Sequence, residues 1–570
     1  MRTELRLPPS MVYGVNDSPP QVVTLLNGFQ HVGLIAINLV YPLLVFRTAE
    51  TPLAVVTNLL SIGMLVLGVG TFLQALRLGP IGSGYMCPCT FTASYFSPSL
   101  MAATLGGLPL VFGMTIFAGV LEALLAPLLQ RLRSIFPPEV SGVVIFMVGL
   151  SAGVAGLRSL LGAQAAPVVT AEWGVAGITL ATMVALNVWG RGIARMLCAL
   201  IGLLAGYIAA GLAGLIGGSE MATVAQTPIF GLPDFGAVSW SFDVALAAPF
   251  AIASVAAAMK AVGTITVCQR MNDADWVRPE MGSIMRGVLA DGASTALAGV
   301  AGTVGTNTCT PSVGLAAATG VASRQVAYAA GAIFLVLGFL PMLPAVLAVM
   351  PRPVIVAALL FTVSFIIING LQVMSSRMLD ARRTLVIGLS IVAGTAVEVF
   401  PALAATAPKA LAPVLGSSLV FSTAIALGLN LLFRLGVRKT LSIALDLSSW
   451  KVSQLDDELR KQGAIWGARA DVIARVSWAI AQVIDAVAEN GWRDGPLVIR
   501  TTFDEFNLDV GITYQGEPLE FPEQRPSEDE ILESEDGVRR LAGYMLRHLA
   551  DRVRSERKGV TAHLEFHFDH

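Results

Sequence analysis

Charge is what this chain has little of. Lys, Arg, Asp and Glu make up 13% of 570 residues against 55% hydrophobic ones, and mean hydropathy is +0.71. About half of the charged residues, 37 of 76, fall before Leu441, and the rest crowd into the last 130 positions. That shortage excludes a solvated globular fold over the first three-quarters and leaves a membrane domain followed by a soluble tail. The net charge of −2 gives no sign of a nucleic-acid partner, and none is expected. Five cysteines in apolar surroundings supply neither a disulfide framework nor zinc spacing, and Cys87-Pro88-Cys89 is too tight for a CxxC redox motif. No metal or cofactor is expected. No cleavable leader is expected, because Met1 to Pro20 is polar and proline-bearing, so the first span should act as the insertion signal.

What is present is a series of apolar runs long enough for a ~30 Å hydrocarbon core. Twelve spans are expected near 22–46, 52–76, 108–129, 139–158, 173–189, 195–216, 242–266, 284–301, 325–349, 353–373, 383–400 and 411–433. Two further segments, 82–105 and 302–320, carry Gly, Pro, Ser, Thr and Cys where a continuous helix would want Leu and Ala. The total is fourteen, with the broken segments third and tenth. Basic residues test the count, because they collect in cytoplasmic loops. Even-numbered loops hold Arg77, Arg131, Arg133, Arg191, Arg270, Arg278, Arg324, Arg377 and Arg382; odd ones hold only Arg47, Arg158, Arg352 and Lys409. Both termini are therefore expected in the cytoplasm.

The broken segments lie seven spans apart, the spacing of two inverted seven-segment repeats, and interrupted spans at matching positions point to a transporter's binding site. Proline explains each break. An extended stretch followed by a half-helix would aim backbone amides at an anionic or acceptor-rich solute. The competing reading is a pair of kinked, Gly-rich packing helices.

One lysine stands inside a span. Lys260 interrupts the apolar run Val244 to Cys268, and an ionisable group there should face a bundle interior or a watery cavity. Arg270 lies ten residues on, about 15 Å along a helix, so the lysine cannot snorkel to that end. A structural ion pair is the alternative to a binding role.

The chain resembles the nucleobase/ascorbate transporter family, the xanthine and uracil permeases of solute carrier family 23, over residues 20–435. The resemblance rests on Gln30-His31, Pro138-x-Val140-x-Gly142, Leu232-Pro233-x-Phe235, Arg286-Gly287-x-x-Ala290-Asp291-Gly292 and, most specifically, Pro311-Ser312-Val313-Gly314-x-x-x-x-Thr319-Gly320-Val321-Ala322-Ser323-Arg324. It implies an all-α polytopic fold of fourteen segments in two inverted repeats, split into core and gate domains. It also implies a homodimer that moves a nucleobase with protons or sodium by an elevator-type displacement. Two positions depart from the family. Lys260 stands where a substrate-binding glutamate is usual, and Pro311-Ser312 where Glu or Gln precedes Asn. An ammonium only donates hydrogen bonds, so the inverted site should favour an anionic solute such as urate or a xanthine anion, or a small carboxylate or inorganic anion.

Lesser candidates surround it. Gln30 and His31 are placed in the first span to orient solute, or merely to bridge helices, and His31 joins Lys260 as a candidate coupling group. Cys89, Thr90, Thr308, Thr310 and Ser312 supply polar groups at the breaks, Tyr85 and Phe91 are aromatics able to stack on a planar ring or simply to fill space, and buried Asn307 would need a partner. Asp291 reads as a helix-end or interdomain residue without chemistry.

The expected division is a cytoplasmic segment 1–20, a transporter domain 21–435 and a cytoplasmic α+β domain 436–570, lodged together in the cell membrane. In the tail, helices are expected over Ala468–Asn490 and Asp536–Val553, paired strands over Leu497–Thr502 and Leu508–Tyr514, and a closing strand over Val560–Asp569. That order is similar to the histidine-kinase-type ATPase domain, but Gln482, Ala486 and Tyr514-Gln515-Gly516-Glu517-Pro518 stand where its magnesium and adenine ligands belong. A regulatory or dimerisation module is expected instead. His563 and His567 share a strand face that reads as solvated rather than metal-binding.

Overall fold

The computed structural model describes residues 6–77, 79–128, 137–161, 170–236, 238–276, 279–375, 379–400, 402, 416–433, 439–445, 452–466, 468–489, 492, 495–504, 507–526 and 535–569. The loop residues Arg131, Arg133, Arg278, Arg377 and Lys409, and the start of the 411–433 segment, lie outside them. The chain divides into two compact units, Met1–Asn430 and Leu431–His570.

The first unit opens with α1 (Gln21–Ala36), which passes through one 3-10 turn into α2 (Val40–Thr48), and with α3 (Leu53–Ala75). The chain then becomes extended as β1 (Cys89–Phe91) before α4 (Ala93–Leu125). Inside α4, Gly106 and Gly107 leave helical geometry, Gly107 at φ +65°. Those glycines separate a half-helix, 93–105, from the full span that follows. Next come α5 (Pro138–Leu161), α6 (Thr170–Trp189), α7 (Ile193–Met196), α8 (Cys198–Leu212), α9 (Gly218–Gln226), α10 (Ala247–Asn272) and α11 (Met281–Ala301). Gly302, left-handed at φ +90°, stops α11. The second broken segment gives β2 (Thr306–Thr308) and α12 (Thr310–Thr319), ended by left-handed Gly320. The unit closes with α13 (Arg324–Gly338), α14 (Met342–Ala348), α15 (Arg352–Met374), α16 (Ala381–Val399) and α17 (Ser418–Phe433).

Seven described helical segments are long and apolar enough to cross a membrane, eight if α13 and α14 count as one. The expected continuous span 325–349 is in fact bent by 81° at that junction, where Gly338 ends one helix and Pro341 caps the next. Two groups of helices pack within the unit: α5, α6, α8, α15 and α16 form one, and α1, α3, α4, α10, α11 and α13 the other. Trp189, Leu212 and Val244 present exposed apolar side chains.

The second unit is a five-stranded antiparallel sheet in the order β3 (Lys439–Leu445), β4 (Leu497–Phe503), β5 (Asn507–Gln515), β7 (Thr561–Asp569), β6 (Arg552–Lys558). Its helices are α18 (Val452–Trp466), α19 (Ala470–Glu489) and α20 (Glu535–Leu549). Strict alternation along β7 buries Ala562, Leu564, Phe566 and Phe568, which join Val476, Ile480 and Val483 of α19 in one core. The helix expected to reach Val553 ends at Leu549 instead, since Arg552 and Val553 pair with His567 and Phe566. His563 and His567 do share a face, tied to Thr513 (2.9 Å) and Asp509 (2.6 Å) across the ladder.

Candidate functional site

The two broken segments meet. β1 pairs antiparallel with β2, setting Cys89 opposite Thr308, Thr90 opposite Asn307 and Phe91 opposite Thr306. Each three-residue strand is followed within two residues by a helix start, so the half-helices α4 and α12 leave this ribbon in opposite directions with both N-termini beside it. Their positive dipole ends converge on one place. At α4, the Thr92 hydroxyl accepts from the Ser94 amide; at α12, the Cys309 amide is instead held by the Pro88 carbonyl at 2.8 Å.

Helix α10 is fastened to this ribbon on either side of Lys260. Asn307 Nδ2 donates to the Ala257 carbonyl (2.9 Å), and one turn beyond the lysine Thr264 Oγ1 bonds Thr310 Oγ1 (2.7 Å). Ala257, Lys260 and Thr264 occur at i, i+3 and i+7, one face of a helix. Lys260 therefore stands on the face of α10 turned to β2 and α12. It is partly accessible, and the titratable groups around it are Asp291, Cys87, Cys89, Cys309 and Glu122. Gly263 on α10 and Pro311 and Gly314 on α12 are exposed, and nothing lies within 4 Å of where a Cβ would sit on either glycine. An open strip of small residues thus runs from Lys260 towards the ends of α10 and α12.

His31, wholly buried, bonds Ser312 through Nδ1 at 2.5 Å, while its Nε2 and the Gln30 carbonyl oxygen have no partner. Asn38, in the 3-10 turn of the first span, donates to Thr90 Oγ1 (2.8 Å). Lys260, Thr90, Thr310, Ser312, His31 and Asn307 are in this way brought to one crossing. Strand alternation turns Cys89 and Phe91 the other way: the Cys89 thiol packs on Gly70 and the Phe91 ring on Gly63, both in α3. Tyr85 packs between two clusters, one with Met86, Cys268 and Val313 and one with Ala258, Ala261 and Ile265 of α10.

Two acids qualify the sequence reading. Asp291 is no helix end: it lies midway along α11, wholly buried, with neither oxygen hydrogen-bonded. Its nearest polar groups are the Lys260 ammonium, the Glu122 carboxyl, the Thr308 amide and Gln74. Glu122 of α4 is also wholly buried, takes the Tyr95 hydroxyl at 2.7 Å on Oε2, and leaves Oε1 unpaired. Glycine brings the two together. A Cβ on Gly292 would lie 2.5 Å from the Ala123 amide, and one on Gly119 2.2 Å from that of Ala296, so α4 and α11 touch backbone to backbone and the neighbouring acids face each other. An isolated Glu in the run GVLEALLAP was the available signal.

Several known permeases are similar to this chain in sequence. A putative purine permease of Clostridium perfringens is 27% identical over 435 residues, covering 74% of this chain and 92% of its own. The xanthine permease XanP of Escherichia coli is 28% identical over 446 residues (74% and 94%), and the uric acid permease PucJ of Bacillus subtilis 28% over 436 (72% and 93%). Among solved structures, the murine anion transporter Slc26a9 in its inward-facing state superposes with a TM-score of 0.50 at 12% identity, over 76% of this chain and 72% of its own; at that identity it speaks for the fold alone. The xanthine/uracil permease model, described as the permease family, matches residues 23–403, and the chain belongs to that family: it is a multi-pass membrane transport protein of the nucleobase permeases.

Proposed function

We propose that this permease is a secondary active transporter for an anionic purine-like base, urate or a xanthine anion, which binds at the β1–β2 crossing with Lys260 as its counter-charge. One observation carries the reading: Lys260 stands on the α10 face bolted to β2 and α12, where two half-helix N-termini also present positive ends. A nucleobase anion offers ring nitrogens and carbonyl oxygens; the ammonium donates, the helix N-termini present positive ends, and the Thr90 hydroxyl, which accepts from Asn38, keeps its own proton to donate, as does Ser312 when His31 Nδ1 carries the proton. Gln30 and His31 line the first-span side. Fourteen segments in two inverted repeats, both termini cytoplasmic, a homodimer and a regulatory tail complete the proposal. Elevator movement is supported by the narrow slot between α10 and the other helix group, lined mostly by apolar Val144, Ile252, Val255 and Met259 together with Ser141 and Thr423.

The missing carboxylate favours a second reading, transport of a small inorganic or carboxylate anion. Vesicle uptake separates the two. Labelled urate or xanthine should enter and compete with each other; absent base uptake beside intact uptake of bicarbonate or a small carboxylate would replace the first reading by the second. Lys260→Glu should abolish urate binding, and wild-type uptake by that variant would remove the lysine from the site.

A further inference from the structure

We propose that Glu122 and Asp291 form one proton-binding site, which carries the coupling proton in place of the span glutamate that this chain replaces by Lys260. The inference rests on the transporter reading above. Both acids are wholly buried, and three of their four oxygens lack a donor. Two carboxyls that face each other out of water cannot both be ionised, because like charges at that range repel with little screening. A proton held between them satisfies both, as it does in acid dyads. α10 supplies Lys260, α4 Tyr95, which already donates to Glu122, and α3 only neutral Gln74; β2 contributes the Thr308 amide, and the thiols of Cys87 and Cys89 lie near Asp291.

Lys260 connects this pair to the solute. With one proton bound the pair carries a single negative charge, and the ammonium balances it. When an anion binds at the crossing, it shares that ammonium, and the pair takes up a second proton from water to restore neutrality. The solute anion and one proton then cross together, and lysine, pair and solute carry no net charge whether the site is empty or loaded. Transport should accordingly be one proton per monoanion and insensitive to membrane potential.

Full-length protein reconstituted in liposomes with an internal pH dye provides the test, urate and xanthine being the probes. Wild type should acidify the lumen when base is added outside, at equal rates with and without an imposed potential. Glu122→Gln should abolish that acidification while exchange of labelled for unlabelled base continues, and Asp291→Asn provides a second variant should the first fold poorly. Acidification at the wild-type rate by either variant overturns the proposal. A second readout needs no solute: the infrared band of a protonated carboxyl in purified full-length protein at neutral pH should disappear in Glu122→Gln, and an unchanged band overturns it too. Should wild-type liposomes transport neither base, the nucleobase reading fails, whereas the infrared comparison still decides the carboxyl pair.

Discussion

Lys260 costs this fold stability. A lysine at mid-helix in a membrane carries a penalty of about 2.5–3.5 kcal/mol on insertion scales, reduced here by partial access to water and by Asp291 and Glu122 nearby. Lys260→Met removes the charge at similar length, and the prediction has opposite signs for the two properties. The variant's unfolding midpoint in detergent should equal or exceed wild type, whereas its affinity for urate should fall at least tenfold, about 1.4 kcal/mol; calorimetry and a binding isotherm measure both. A residue kept only for packing would lose stability and leave affinity alone. Lys260 was legible in the sequence because one cation among neutral residues stands out without any knowledge of the fold. Glu122 and Asp291 were not. Each is a single acid, Glu122 in an apolar run and Asp291 beside Gly292 and Ser294, and their joint meaning arises only when Gly119 and Gly292 let two distant helices touch.

Elements show the same division. The breaks at 82–105 and 302–320 could be read because Pro and Gly disrupt helices locally. Their pairing could not, since three-residue strands more than two hundred positions apart carry no periodic signal; the 81° bend after Gly338 is marked in sequence only by Gly338, Pro341 and Pro344 inside a run that otherwise stays apolar. Glycines at two helix faces yield contrasting predictions. Gly292→Val would drive a side chain into the α4 backbone, a clash that costs about 1–3 kcal/mol when helices must part, and it should lower the thermal midpoint and, by separating the acids, the proton coupling. Gly314→Leu meets only open space and replaces a poor helix former. Its midpoint should hold or rise, yet base uptake should be lost, because the added side chain occupies the strip leading to Lys260. Thermal unfolding and vesicle uptake of the pair of variants test both; if Gly314→Leu transports at the wild-type rate, that strip is not the route.

At the scale of the whole molecule, two units with separate cores share one chain. Leu431–His570 has its own sheet and its own buried core: Trp466 of α18 stacks on Phe503 of β4 with ring centroids 5.8 Å apart, and Phe521 meets Phe566 edge-on at 5.8 Å. Independent cores imply independent melting. Calorimetry of the full-length protein should resolve two transitions, and Trp466→Ala, which empties a buried stack at a cost of about 3–5 kcal/mol, should shift one of them only. Urate or xanthine should shift the other. A ligand stabilises the unit that binds it by RT ln(1 + [L]/Kd), about 2.7 kcal/mol at a hundredfold excess over Kd, and the proposed site lies wholly within Met1–Asn430. If base at that excess moved the Trp466-sensitive transition by as much, the tail would itself bind purine or be coupled to the site, and the picture of a self-contained transporter with a separately folded appendage would have to be abandoned.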